Sequence, residues 1–203
     1  MPSSDYIIRD AYQYEKLFML FKFFDNKEYG FIAGGVFKDI FLSRDFRDLD
    51  WFFTQEFEFS DVLNKINQDP NYLKTYENNN AVGFENNYLK VKEELVKKYF
   101  GRPQEILDSF DFSVSKFCLY RENKKLKVMF HKNFFEDLTT RNLRYSSEVK
   151  NPVLSLYRVM KYSGYGFSLH KSDFLKLMIR VNQMDSKEIK DLFLENPYDY
   201  YFY

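Results

Sequence analysis

Asp48 and Asp50 stand one residue apart in the run Asp48-Leu49-Asp50, thirteen residues after the glycine pair Gly34-Gly35. On a strand, side chains at i and i+2 lie on one face about 7 Å apart, so the two carboxylates can share a divalent cation while Leu49 packs behind them. Two carboxylates completed by the oxygens of a triphosphate make the hard oxygen site that Mg2+ prefers. Adjacent glycines let a backbone approach a phosphate closely, and a helix starting at Val36 would aim its unpaired N–H groups and positive dipole end at the same anion. The chemistry these residue types suggest is that of a metal-held, phosphate-bearing ligand.

Such residues need a strand ending at the glycines, a helix after it and a second strand for the carboxylates. The apolar run Gly30 to Ala33 reads as that first strand, Val36 to Leu42 as the helix and Leu49 to Phe53 as the second strand. Upstream, Tyr14, Leu17, Phe18, Phe21 and Phe24 fall at the spacing of one helical stripe, which predicts a helix over about 11–25 with Asp10 as its N-cap. Downstream, residues 61–68 read as a helix, and residues 72–92 as a hairpin or two edge strands around Asn78, Asn79 and Asn80. Residues 92–100 and 103–107 read as helical, 110–120 and 126–130 as a strand pair, and the chain beyond Pro152 as helical, with further pieces over 172–182 and 186–194. This pattern divides the chain into an α/β head, residues 1–145, and a short helical appendage, residues 146–203.

Composition narrows the function classes. The chain has 203 residues, and its 24 Phe, 17 Tyr and single Trp make up 21% of it, enough to fill the core of a globular domain. Lys plus Arg and Asp plus Glu balance at 30 each, yet residues 1–60 carry a net charge of −4 and residues 141–180 one of +6. An acidic front with a basic later segment suits a protein that holds a cation with one part and phosphates with another; two solvated faces that never meet would give the same count. The apolar run at Leu17 to Phe21 is broken by Lys22, far short of a membrane span, and no signal-peptide pattern is legible at the start. One cysteine, Cys118, and two histidines, His131 and His170, supply neither an intramolecular disulfide nor a zinc site of familiar spacing. A cytoplasmic protein without a membrane segment is the expectation.

The whole run from Gly34 to Asp50 resembles the head signature of the polymerase-β-type nucleotidyltransferases. It is most similar to the bacterial CCA-adding tRNA nucleotidyltransferases and poly(A) polymerases, whose pattern is Gly-Gly-x-Val-Arg-Asp-x-Leu-Leu-Gly-Arg-x-x-x-Asp-x-Asp. Every spacing is kept, with Lys38 in place of the arginine, Phe37 of the valine and Ser43 of the glycine before Arg44. Asp111-Phe112-Ser113-Val114-Ser115 is similar to the family's Asp-Phe-Thr-Ile-Asn strand, and Glu136-Asp137-Leu138 through Leu143-Arg144 to its element before the neck. Pro152 with Arg158, Lys161 and Tyr162 is similar to the neck motif, with one residue inserted and Asn151 replacing the acid. In size the chain is similar to small phage-encoded nucleotidyltransferase-like proteins.

The resemblance implies an α+β fold, a nucleotidyltransferase head with a mixed or antiparallel sheet flanked by helices. It also implies Mg2+-dependent attack of an acceptor hydroxyl, an RNA 3′ end foremost, on the α-phosphorus of a nucleoside triphosphate. Asp48 and Asp50 would hold Mg2+, with Asp111 as a third catalytic carboxylate or else a turn cap or partner of Lys38. Gly34, Gly35, Lys38, Arg44, Arg158 and Lys161 would line the nucleotide, although the four cations fit structural ion pairs or a solvated helix face equally. The implied partners are a nucleoside triphosphate and an RNA or tRNA acceptor. A catalytically degenerate binding module, or a toxin-like enzyme modifying tRNA or protein, is the alternative. The Glu-Asp-x-x-Arg string with which the resembled family reads the incoming base has no counterpart after Phe167, so a self-sufficient CCA-adding enzyme is not expected.

Overall fold

A computed structural model describes residues 5–25, 27–46, 48–146, 149, 151–185 and 187. Ten strands and seven α-helices alternate along the chain: β1 (Tyr6–Asp10), α1 (Phe18–Phe21), β2 (Phe31–Ala33), α2 (Val36–Phe41), β3 (Asp48–Phe53), α3 (Glu56–Gln68), β4 (Tyr72–Glu77), β5 (Ala81–Asn86), β6 (Val91–Phe100), α4 (Pro103–Asp108), β7 (Phe117–Glu122), β8 (Lys125–His131), α5 (Phe134–Thr140), β9 (Asn142–Leu143), α6 (Pro152–Gly164), β10 (Ser168–Leu169) and α7 (Lys171–Asn182). Eight strands form one sheet in the order β1-β8-β7-β2-β3-β6-β5-β4. Within this sheet only β3 and β6 run parallel and the other pairs are antiparallel, while β9 and β10 form a separate parallel pair. The architecture is α+β with a mixed sheet, a nucleotidyltransferase-like head fold.

Period-two alternation gives the sheet two different faces. Leu49, Trp51 and Phe53 of β3 enter the main core with Phe24, Phe37, Phe59 and Phe117, while Phe52 joins a smaller cluster with Phe31, Ile106, Leu107 and Cys118 under α4. Asp48 and Asp50 share the face of Phe52, which the smaller cluster leaves partly open. Local signals fix the helix starts: Glu58 accepts from the backbone N–H groups of Thr54 and Gln55 at 2.7 and 3.3 Å, and Asn151 accepts from Leu154 N–H at 3.0 Å ahead of Pro152. Asn123 and Lys124, both with positive φ, make the tight β7–β8 turn.

Several local expectations change. Residues 11–25 form successive short 3-10 and α turns rather than one helix, although Asp10 does cap the first by accepting from Tyr12 N–H. Residues 92–100 belong to a strand, not a helix. Their alternation is masked because Glu93, on the buried face, is charged: it pairs with Lys27 at 2.8 Å and accepts from Tyr72 and Asn86. A short 3-10 turn, Ser113–Ser115, replaces the first part of the expected strand 110–120. The piece expected over 186–194 lies outside the described residues, apart from Lys187. The division placed at residue 146 falls between β9 and α6, and Phe167 and Leu177 beyond it sit in the same main core as the head. Strand β10 also pairs with β9 across that division. Among the described residues no helix is long and apolar enough to cross a membrane.

Candidate active site

Strand β2 ends where Gly34 turns the chain with φ +102°, a left-handed conformation that glycine adopts without steric cost. Its N–H is held by the Phe117 carbonyl at 3.0 Å. A Cβ built on Gly34 would stand 3.7 Å from an Asp50 side-chain oxygen, so the glycine turn and the carboxylate are immediate neighbours. One on Gly35 would stand 3.9 Å from the Tyr162 hydroxyl, which shows that α6 docks directly beside the turn.

Asp48 is exposed and Asp50 half-buried at the start of β3. Across the parallel pair, Asp50 stands opposite Glu94 of β6. Burial, then the negative charges of Glu94 and Asp48, push the Asp50 carboxyl up to about 7, and Lys161 draws it back. Tyr76 donates its hydroxyl hydrogen to Glu94 from the far side. The result is a cluster of negative charge whose own members penalise ionisation, the condition a divalent cation relieves. Among the described residues no three acidic, histidine or cysteine side chains form a ready-made metal cage. The donor set fits a hard cation held by Asp48 and Asp50 and completed by ligand oxygens and water.

Positive groups stand on the other side of β3. Lys38, buried in α2, pairs with Asp39 at 2.5 Å and lies under the rings of Tyr162 and Tyr165, 5.6 and 5.1 Å from their centres. Burial presses the Lys38 ammonium below its ordinary value, Asp39 opposes this, and the charges of Arg44 and Lys161 add to it, so three cations share the region. Arg44 donates to the Tyr165 carbonyl at 3.2 Å, tying the exit of α2 to the end of α6. Lys161 is exposed on α6.

Two expected residues form a pair of their own. Asp111, 3% exposed, accepts from Arg158 at 2.8 Å and from Ser155 Oγ at 3.0 Å. Arg158 keeps its side chain 47% exposed while making this pair. This ion pair staples α6 to the segment before β7, next to the bond between Tyr162 and Ser115 at 2.8 Å. The structure thus groups Gly34, Gly35, Lys38, Arg44, Asp48, Asp50 and Lys161, and Asp111 with Arg158 adjoins this group through Tyr162, whose hydroxyl faces Gly35 and feels both charges. It adds Glu94 and Tyr76, which the sequence reading missed. Reading residues 91–100 as a strand beside β3 would have exposed Glu94; nothing local marks Tyr76.

The model of a family described as Gabija anti-defense 2 family protein matches residues 11–141. A curated relative, "Gabija anti-defense 2" of Bacillus phage SPbetaL7, is 25% identical over 162 residues, covering 79% of this chain and 39% of that protein. Among solved structures, a Thermotoga maritima CCA-adding enzyme complexed with tRNA superposes with a TM-score of 0.64 at 15% identity, over 87% of this chain and 46% of that one. A CCA-adding enzyme in complex with ATP gives 0.66 at 14% identity, over 87% and 47%. A tRNA nucleotidyltransferase bound to a primer tRNA and an incoming ATP analogue gives 0.54 at 18% identity, over 76% and 47%. The fold is that of the CCA-adding nucleotidyltransferase head, and this chain spans less than half the length of each of these proteins.

Proposed function

The chain belongs to the Gabija anti-defense 2 family, and from that membership and its nucleotidyltransferase-like head we propose that it is a Mg2+-dependent nucleotidyltransferase serving phage anti-defence. The observation that carries the reading is the position of Asp50, in contact distance of the Gly34 turn on one side and opposite Glu94 on the other. Gly34 and Gly35 would admit the phosphates, with Lys161 and the Asp39-paired Lys38 facing their charge. Asp48 and Asp50 would hold Mg2+, which when bound supplies charge neutralisation on the phosphates. Glu94 would accept the proton of the attacking hydroxyl. The acceptor oxygen bonds to the α-phosphorus and pyrophosphate departs. Asp111 and Arg158 act at one remove, by holding α6 where Lys161 faces the site.

The tRNA-bound neighbours support an RNA 3′ end as acceptor, while the family's description supports a target within a defence system. A second reading, a binding module without turnover, is favoured by the engagement of Asp111, the implied third catalytic carboxylate, with Arg158 and Ser155. Incubating the purified protein with each labelled nucleoside triphosphate, Mg2+, total RNA and cell lysate distinguishes them. Transfer of label to one macromolecule, lost in Asp48→Asn and Asp50→Asn, is the expected result. Absence of transfer with every nucleotide, alongside undiminished anti-defence by both variants, would establish the second reading.

A further inference from the structure

We propose that Tyr76 is itself an acceptor, so that the protein nucleotidylates its own Tyr76 hydroxyl. This rests on the transfer chemistry proposed above and names one substrate of that site. The argument begins with strand register. Tyr76 of β4 stands opposite Gly83 of β5, Gly83 opposite Glu94 of β6, and Glu94 opposite Asp50 of β3. One row therefore crosses four strands and spans about 14 Å of backbone at ordinary strand spacing.

Three features bring the hydroxyl back along this row to the carboxylates. An irregularity in the β4–β5 register between Lys74 and Tyr76 moves Tyr76 to the face opposite that of Tyr72, whose hydroxyl bonds to Glu93 on the buried side. Gly83 has no side chain, and a Cβ there would stand 2.1 Å from the Tyr76 ring, so the ring lies flat across the glycine. The hydroxyl then donates to Glu94, the carboxylate placed to take an acceptor's proton.

The order of strands supplies the line of attack. Along the sheet come β2 with the glycine turn, β3 with Asp48 and Asp50, β6 with Glu94, then β5 and β4. A triphosphate seated at the glycine turn and Lys161 would carry its α-phosphorus over β3 and its pyrophosphate toward β2, with Tyr76 approaching from the β6 side. That is the arrangement an in-line displacement requires. The Tyr76 oxygen bonds to the α-phosphorus, the bond from that phosphorus to the bridging oxygen breaks, and pyrophosphate leaves with the electron pair. The phenolic proton passes to Glu94. The product is a tyrosyl nucleotide phosphodiester, made from a nucleoside triphosphate and no other reactant.

The test uses the full chain with ATP and the other nucleoside triphosphates in Mg2+, followed by peptide mass spectrometry. The expected result is a single nucleotidyl adduct on Tyr76, abolished in Tyr76→Phe and in Asp50→Asn and retained in Tyr88→Phe, a control at an exposed tyrosine. A chain that transfers label to RNA or protein yet carries no adduct on Tyr76 overturns this inference and leaves the nucleotidyltransferase reading standing. Adducts spread over Tyr88 and other exposed tyrosines also overturn it. A chain that labels nothing, itself included, overturns both.

Discussion

Replacing Asp50 by Asn should make the ligand-free protein more stable at alkaline pH while destroying the property that depends on the charge. The Asp50 carboxyl is raised from an ordinary 3.8 to about 7, by burial first and then by Glu94 and Asp48. Between those two values the folded chain holds a proton that the unfolded chain has released. The stability this confers is complete below about pH 4 and is lost as pH rises through about 7. About three pKa units at about 1.4 kcal/mol each set a ceiling of about 4 kcal/mol. Asp50 keeps partial contact with solvent, which reduces the realised cost to about 2 kcal/mol. Asn keeps the shape without the charge, so at about pH 8 the variant should melt about 5 °C above the wild type, with the gap closing near pH 4. Thermal melts in EDTA at several pH values measure this. Mg2+ in excess should raise the wild type and leave the variant unmoved, because binding to the folded state alone stabilises it. Parallel stability profiles for the two proteins from pH 4 to 8 would refute the reasoning, and so would an equal response to Mg2+.

Lys27→Met strands Glu93, whose side chain is fully buried, without its cation, and should cost about 3 to 5 kcal/mol in urea denaturation, much of it recovered when Glu93→Leu is added. Lys161→Ala should weaken binding of a nucleoside triphosphate by about 10-fold in calorimetric titration with Ca2+ while leaving the melting temperature unchanged, since one charged contact to phosphate contributes about 1.5 kcal/mol or more. Wild-type affinity in that variant would place Lys161 outside the site. Arg158→Ala should behave differently, lowering thermal stability by about 1 to 3 kcal/mol because the buried Asp111 loses its cation and keeps the Ser155 hydroxyl; an unshifted melt would show that the pair does not hold α6.

The strand, glycine turn, helix and Asp48-Leu49-Asp50 strand are legible along the chain because those features are local. Glycine is needed for a positive φ at Gly34, aromatic residues favour the pleated β3, and alternation puts both carboxylates on one face. The cap at Asp10 was legible for the same reason, and the α+β class followed from the resemblance that this run carries. The tertiary structure decided what depends on which strands meet. Strand β6 reads as a helix in isolation because its buried face carries Glu93, whose neutralising partner Lys27 is 66 positions away in sequence. Only the β3–β6 pairing makes Glu94 a neighbour of Asp50, and only a register irregularity beside a glycine brings Tyr76 to Glu94. Likewise Asp111 matches a motif by type, but its partners Ser155 and Arg158 come from α6, 44 and 47 positions away, and no local pattern discloses which charge will arrive opposite it. Spacing along a chain sets what one element presents; long-range pairing decides which presented groups share a site.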